Sequence, residues 1–346
     1  MKSDQGIQTR IIAELPDDVA LFCLSRVPRR FHTVLKNVCR RWRELVSSED
    51  WYAYRRNNSL SETWIYSLCR DKYGRNHCYV LDPDSPKRSW KEIQELPPRC
   101  LRRSGMGFQS TGKNLYLLGG CGWSEDPTCE AYSFDASINS WKETMPLSIP
   151  RCYFACEVVN ERVVAIGGLG LKAMNCSWET LDFVEGSKEL VLDDKIIADV
   201  DESIVFDGKV LLRGGSSSGS QMLQAYDIAK GGWSRVGGEM ETGWRGPAVV
   251  VEGELYVLDQ GAGARVMTWR KERREWVMVG RLSQWAVREN CRLVGVGKRV
   301  FAVGKGLGTV VFNVDDAVNV GGRIMLCTCV DGVGDCDVIS CVTVAL

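Results

Sequence analysis

Histidine is almost missing from this chain: two residues in 346, His32 and His77. Two imidazoles set far apart cannot build a zinc or copper centre, and they leave no Ser-His-acid set to assemble. Net charge is missing too, with 44 basic residues against 44 acidic ones, so no overall field favours nucleic acid or an anionic membrane as a partner. No run of about 18 apolar residues is present to cross a bilayer. Met1–Arg10 is polar and lacks the apolar core of a signal peptide. No paired CxxC knuckles occur among the 15 cysteines, and the count is odd. They read as reduced, mostly buried thiols of a cytoplasmic or nuclear protein. The most metal-like group, Cys327 and Cys329 with Cys336 and Cys341, has no histidine to complete it. No catalytic carboxylate pair and no phosphate loop stands out, so the expectation is a non-catalytic chain with no metal and no cofactor.

What is present is a repeat. Its clearest copy has a turn at Gly112-Lys113-Asn114, an apolar run Leu115–Leu118, and the pair Gly119-Gly120. A polar loop follows, then a strand ending in Phe134-Asp135, and Trp141 closes the phrase. The double glycine returns at Gly167-Gly168 and Gly214-Gly215, with echoes at Asp259-Gln260-Gly261 and Gly304. The steps are roughly 45–48 residues, a period that means one small sheet per repeat. The aromatic-to-tryptophan step of Phe134–Trp141 recurs as Tyr226–Trp233 and Trp269–Trp276, while Phe183–Leu190 keeps the spacing without the indole. Such a sheet cannot bury its faces alone. Radial stacking solves this, and each repeat reads as a β-propeller blade. The glycine pairs follow inner strands where blades crowd, and serve close backbone approach and positive φ. The tryptophans read as inter-blade packing.

The first repeat, about 64–96, lacks its usual first strand. The β-branched run Val338–Val344 would complete it and close the ring. Six blades result: 64–96 plus 338–346, then 104–146, 151–192, 199–239, 244–282 and 287–330. Degenerate spacing leaves five or seven open.

Residues 11–56 are a different text, between a polar tail (1–10) and the propeller region (57–346). Leu15-Pro16-Asp17-Asp18 looks like a helix start, and Val19, Phe22, Cys23 and Val27 follow at helical spacing until Pro28. A second helix is expected over Phe31–Val46, and 52–63 reads as a polar joint. The ordered string Leu15–Val19, Cys23–Pro28 and Val38–Val46, closing on Ser47–Trp51, resembles an F-box from end to end. Set before kelch-like repeats, it makes the chain similar to plant F-box/kelch proteins over nearly its whole length. The fold class expected is therefore mainly β: a six-bladed kelch-type propeller closed by the C-terminal strand and preceded by a small all-α F-box module.

That resemblance implies a substrate-recognition subunit of an SCF-type cullin–RING ubiquitin ligase. The F-box would bind the Skp-type adaptor, and cullin through it, while the propeller captures a target protein for ubiquitination. Leu15, Pro16, Val19, Leu24, Val38 and Trp42 are the candidate adaptor contacts, though some of them must form the module's own core. Arg40, Arg41 and Arg43 suit either an acidic partner or solvent. On the propeller, loops between second and third strands share a face with the loops between blades. Counting back from the turns places Arg103, Arg151 and Arg288 there, with Arg102, Trp123, Tyr153, Trp244, Arg245 and Trp285 beside them. Arginine and aromatic side chains are the types enriched at interface hot spots. Two other readings stay open: a scaffold without degradation, and a propeller enzyme such as a specifier-type lyase.

Overall fold

The computed structural model describes residues 10–170, 177–192, 200–214, 222–261, 263–283, 290–315 and 327–346. The chain divides into two compact units, Met1–Thr63 with Ala345–Leu346, and Trp64–Val344.

In the first unit four short helices follow one another: α1 (Asp17–Ser25), α2 (His32–Val38), α3 (Arg40–Ser47) and α4 (Glu49–Asn57). Pro16 precedes α1, and Asp17 and Asp18 fill its first turn, where carboxylates suit the positive helix end. The single helix expected over Phe31–Val46 is two. Cys39 takes an extended conformation (φ −157°, ψ 169°), and its thiol accepts the Trp42 N–H at 3.4 Å to cap α3. The expected polar joint is also partly helical. Ser48 caps α4 through Trp51 N (3.2 Å), acids fill its first turn, and Arg55 and Arg56 stand in its last. Ala20, Leu24, Leu35, Val46, Trp51 and Tyr52 form the interior.

One arginine ties these pieces together. Arg55 is 1% exposed and donates to Ser25 O, to Val27 O (3.2 Å) and to Leu60 O (2.8 Å), and it pairs with Glu62 at 2.9 Å. Glu62 also accepts the Arg29 N–H at 2.8 Å. His32 packs edge-on against Trp51, with centroids 5.5 Å apart.

The second unit is a six-bladed propeller of four-stranded antiparallel sheets. The first blade orders Cys336–Ala345, Thr63–Asp71, Asn76–Leu81 and Lys91–Glu92 from the axis outward, so the C-terminal strand supplies the missing inner strand. The inner strands of the others are Gly107–Thr111, Ala155–Val159, Val200–Phe206, Ala248–Val251 and Arg292–Val296. All six line a central cavity of about 450 Å³. Neighbouring blades hold the closing strand, through Ser110 Oγ to Thr343 O (2.7 Å) and Arg292 Nε to Ile339 O (2.9 Å).

Two repeated local devices explain the sequence phrase. At the end of the third strand an aspartate folds the following turn: Asp135 accepts Ser137 N (2.8 Å), Asp182 accepts Val184 N (3.0 Å) and Asp227 accepts Ala229 N (3.1 Å). At the end of the second strand the glycine pairs Gly119-Gly120 and Gly167-Gly168 all have positive φ. A Cβ on Gly119 would lie 2.4 Å from Arg151 O, and one on Gly168 would lie 2.8 Å from Cys152 O. The third blade's entry segment, Arg151-Cys152, therefore runs against bare backbone of the second blade at Gly119 and of its own blade at Gly168; Gly120 N donates to Arg151 O at 2.9 Å. Gly215, Ile324, Trp285 and Arg288 lie outside the described residues.

Gly168→Ala should lower propeller stability by about 3 kcal/mol, combining an unfavourable φ with a backbone clash. Urea unfolding checks this, with the open turn position Gly186 (Gly186→Ala) as a control that meets nothing and loses only the φ contribution.

Candidate functional site

The helical unit leaves a run of large apolar side chains outside. Val19 (40% exposed) and Phe22 (49%) stand one turn apart on α1, Val34 (61%) and Val38 (57%) one turn apart on α2, and Phe31 (46%) just before α2. A helix spacing of three or four residues places each pair on one side. Of the six candidate contacts, Pro16, Val19 and Val38 are exposed, and Leu15 and Trp42 are half-buried. Trp42 Nε1 donates to Ile11 O at 2.7 Å. Leu24 is 5% exposed and belongs to the interior, because it faces inward one turn beyond Ala20. Phe22, Phe31 and Val34 were not among the candidates. Their signal was spacing: Phe22 shares a side of α1 with Val19, and Val34 a side of α2 with Val38.

The three arginines of α3 are engaged. Arg40 pairs with Glu44 (2.8 Å), Arg41 with Asp17 (2.9 Å), and Arg43 Nε donates to Lys36 O (3.0 Å). Arg40 and Arg41 are thus charge-paired, while Arg43 is held by a backbone carbonyl.

On the propeller, two members of the expected ring of guanidinium groups, Arg103 and Arg151, are turned inward, and Arg288 lies outside the described residues. Arg151 is 2% exposed and acts as an internal strut. It donates to Gly167 O (2.9 Å), Ser177 O (3.2 Å) and Ser177 Oγ (3.1 Å), and pairs with the fully buried Glu179 at 3.1 Å. Glu179 in turn accepts Ser148 N at 2.7 Å. Burial lowers the Arg151 pKa, and Glu179 opposes that shift. Arg103 is mostly covered and pairs with Glu130 at 2.6 Å, and Arg99 pairs with the same carboxylate. Burial would raise the Glu130 pKa, yet the two arginines hold it below the usual range. Trp244 is fully buried, its indole bound to Gly246 O (3.0 Å), so it is core of the seam between the fourth and fifth blades rather than a contact. Arg245 is exposed, with Nε donating to Thr242 O (2.9 Å).

Among the described residues the rim exposes two aromatic side chains and a leucine beside charged groups. Trp123 is 95% exposed, Tyr153 53% and Leu169 51%. Gly120 N bonds Arg151 O and Tyr153 N bonds Gly105 O (2.8 Å), which brings the second-blade loop and the entry to the third blade together. The Tyr153 ring packs over Gly105, where a Cβ would meet it at 2.8 Å. Arg102 is exposed and has no ion-pair partner among the described residues. With Arg75, Arg99, Trp123 and Glu125 it lines a cleft of about 720 Å³. Among the described residues no group of three or more His, Cys, Asp or Glu side chains converges as metal ligands.

A small helical unit with exposed apolar side chains precedes a six-bladed propeller. Residues 12–54 match the F-box domain model. Over 344 residues the chain is 43% identical to the F-box/kelch-repeat protein SKIP4 of Arabidopsis thaliana, covering 98% of this chain and 95% of that one. It is 26% identical to the F-box/kelch-repeat protein SKIP30 of the same plant, covering 92% and 91%. Among solved structures, one titled "Structure of YjhT" superposes with a TM-score of 0.54 at 13% identity, covering 74% of this chain and 91% of that one, a likeness of fold. The chain belongs to the plant F-box/kelch-repeat family. Proteins of this kind are substrate adaptors of SCF ligases, and an F-box implies binding to a Skp-type adaptor.

Arg151→Ala should destabilise the propeller by about 3–5 kcal/mol, because it strands the buried Glu179 carboxylate. Arg102→Ala should leave the midpoint of thermal unfolding unchanged. A second expectation concerns pH. Burial, then Arg55, lowers the His32 pKa from 6.5 to about 4. Between those values the unfolded chain binds a proton that the folded unit refuses, so stability falls as pH drops through 6.5 toward 4. From pH 7 to 5 the loss is about 2 kcal/mol. Hydrogen exchange of the α1–α4 amides should show it, and His32→Asn should flatten it.

Proposed function

We propose that this chain is the substrate-receiving subunit of an SCF ubiquitin ligase working in the cytoplasm or nucleus. The helical unit docks the Skp-type adaptor, and through it cullin, while the propeller rim captures a protein that is then ubiquitinated and degraded. The observation that carries the reading is the apolar outer face of α1 and α2. Five large apolar side chains, each at least 40% exposed, stand within 20 residues of a unit too small to bury them. A partner surface is the ordinary way to remove such an area from water. Charge plays a smaller part, since Arg40 and Arg41 are already paired with carboxylates within the unit.

The target is held by different chemistry. Trp123 and Tyr153 supply rigid aromatic area at low entropic cost, and Arg102 supplies an unpaired charge beside them. The role of the chain is positional: it raises the concentration of target lysines near the charged ubiquitin carrier and needs no bond-making group of its own.

Val34→Asp with Val38→Asp should abolish co-purification of the Skp-type adaptor while the propeller unfolds at its usual temperature. Adaptor recovered at the normal level would contradict the docking face. Trp123→Ala with Tyr153→Ala should cut target capture under proteasome inhibition at least tenfold and leave adaptor binding intact. Undiminished capture would remove the rim from the account.

A further inference from the structure

The chain carries 15 cysteines, and neither adaptor docking nor target capture uses one. Among the described residues thiol touches thiol at Cys69 and Cys336, at Cys327 and Cys329, and at Cys121 and Cys152. The settings differ. Cys69 and Cys336 are both buried in the first blade's sheet, away from a dissolved oxidant. Cys327 and Cys329 stand two positions apart on one strand, so a bond between them would close a cramped ring and join nothing. Cys121 and Cys152 come from different blades. Cys121 is partly exposed, and Cys152 behind it is only 3% exposed.

The backbone holds this last pair together from two directions. Gly120 N donates to Arg151 O at 2.9 Å, and the next residue on each side is a cysteine. Cys121 also exchanges both of its backbone bonds with Ser104 (2.8 and 3.0 Å), while Tyr153 N donates to Gly105 O (2.8 Å). Ser104 and Gly105 are neighbours, so one short segment braces both cysteine-bearing stretches. Leu169 pairs with Cys152 as well. A disulfide demands close, aligned backbone, and this frame is already hydrogen-bonded while the thiols are reduced.

The two sulfurs are not equivalent. Burial pushes the Cys152 thiol up to about 12, and its contact with Cys121 adds to the rise. Near neutral pH Cys152 therefore keeps its proton. Cys121 meets solvent, and its Sγ donates to Ser104 O at 3.8 Å. An accessible sulfur beside a second, shielded thiol is the arrangement in which oxidation starts on one cysteine and is resolved by the other.

We infer that Cys121 and Cys152 form a peroxide-sensitive thiol pair, a modification site that ties the second blade's rim loop to the entry of the third blade. The oxidant is hydrogen peroxide. The Cys121 sulfur, as thiolate, attacks one peroxide oxygen, the O–O bond breaks, and the departing hydroxide takes up the proton that Cys121 released. A sulfenic acid remains. The Cys152 sulfur then attacks the sulfenic sulfur, so that an S–S bond forms, the S–O bond breaks, and hydroxide leaves with the Cys152 proton as water. Each sulfur loses one electron and the peroxide ends as two waters. A dithiol reductant reverses the bond. The tied loop carries Trp123 and the tied entry carries Tyr153, so oxidation fixes the two exposed aromatics relative to each other. Formation of the bond does not depend on what the rim captures.

The test treats the full 346-residue chain with hydrogen peroxide, alkylates the remaining thiols under denaturing conditions and maps the peptides by mass. The linked Cys121–Cys152 peptide, lighter than the separate pair by two hydrogens, should appear before any other link and vanish with dithiothreitol. Amides 121–126 should gain hydrogen-exchange protection on oxidation and lose it on reduction. Cys121→Ser should abolish the link and leave Cys152 reduced. Cys152→Ala should leave a sulfenic acid on Cys121, read as dimedone labelling that the unaltered chain lacks. Near-ultraviolet circular dichroism establishes that each variant is folded, and Cys121→Ser, at a partly exposed position, carries the test alone if Cys152→Ala does not fold. Other cysteines oxidising while Cys121 and Cys152 stay free, a link from Cys152 to a different partner, or Cys152 oxidised at the usual rate in Cys121→Ser would each overturn the assignment.

Discussion

The propeller depends on one constraint: its first and last segments must share a sheet. Each blade buries its faces only against two neighbours, so an open arc of six would expose two of them. Strand Cys336–Ala345 removes that exposure by pairing with Thr63–Asp71 at the axis. The apolar cluster that follows from closure joins Ile65, Leu81 and Trp90 of the first blade to Val294, Phe301 and Val311 of the sixth, with Val338 of the closing strand among them. Trp90 Nε1 reaching Thr309 Oγ1 at 3.1 Å is a polar stitch across the same boundary. The helical unit obeys a different rule. Its interior is six apolar side chains with the buried Ser25, Arg29, His32 and Arg55, while five large apolar side chains stand exposed.

Much of this was legible in the residues. The recurring glycine pair and the aromatic-to-tryptophan step are local demands that sequence states directly. The missing first strand and the spare run at the far end could be matched because open edges are costly. Direction was harder. Counting back from the turns located Arg103 and Arg151 correctly along the chain, but spacing cannot say whether a guanidinium points out or folds in. The deciding residue for Arg151 is Glu179, on the third strand of the same blade, which no local pattern announces. The same limit applied to the helices. Periodicity placed Leu24 and Phe22 on α1 without saying which of them four short helices would enclose.

The two parts recognise in contrasting ways. On α1 and α2 the exposed groups are mostly aliphatic and lie on regular backbone, which suits a fixed partner with a matching apolar surface. On the rim the exposed Trp123 and Tyr153 stand among charged groups on loops, with Ser124 and Tyr153 both at positive φ. Loops vary at little cost to the blades beneath them, so specificity can be changed there while the scaffold stays constant.

The closing strand has a kinetic meaning as well. Ser67 and Cys341 touch across 274 positions of sequence, yet they lie side by side in the first blade. Loop-closure entropy grows only slowly with length, so the finished ring loses little by this arrangement, but contacts of such separation form late. Until they do, the first blade shows an unpaired inner edge. A chain that has lost its last ten residues through a premature stop or a nick would keep that edge for good, and so would advertise its own damage to chaperones and proteases.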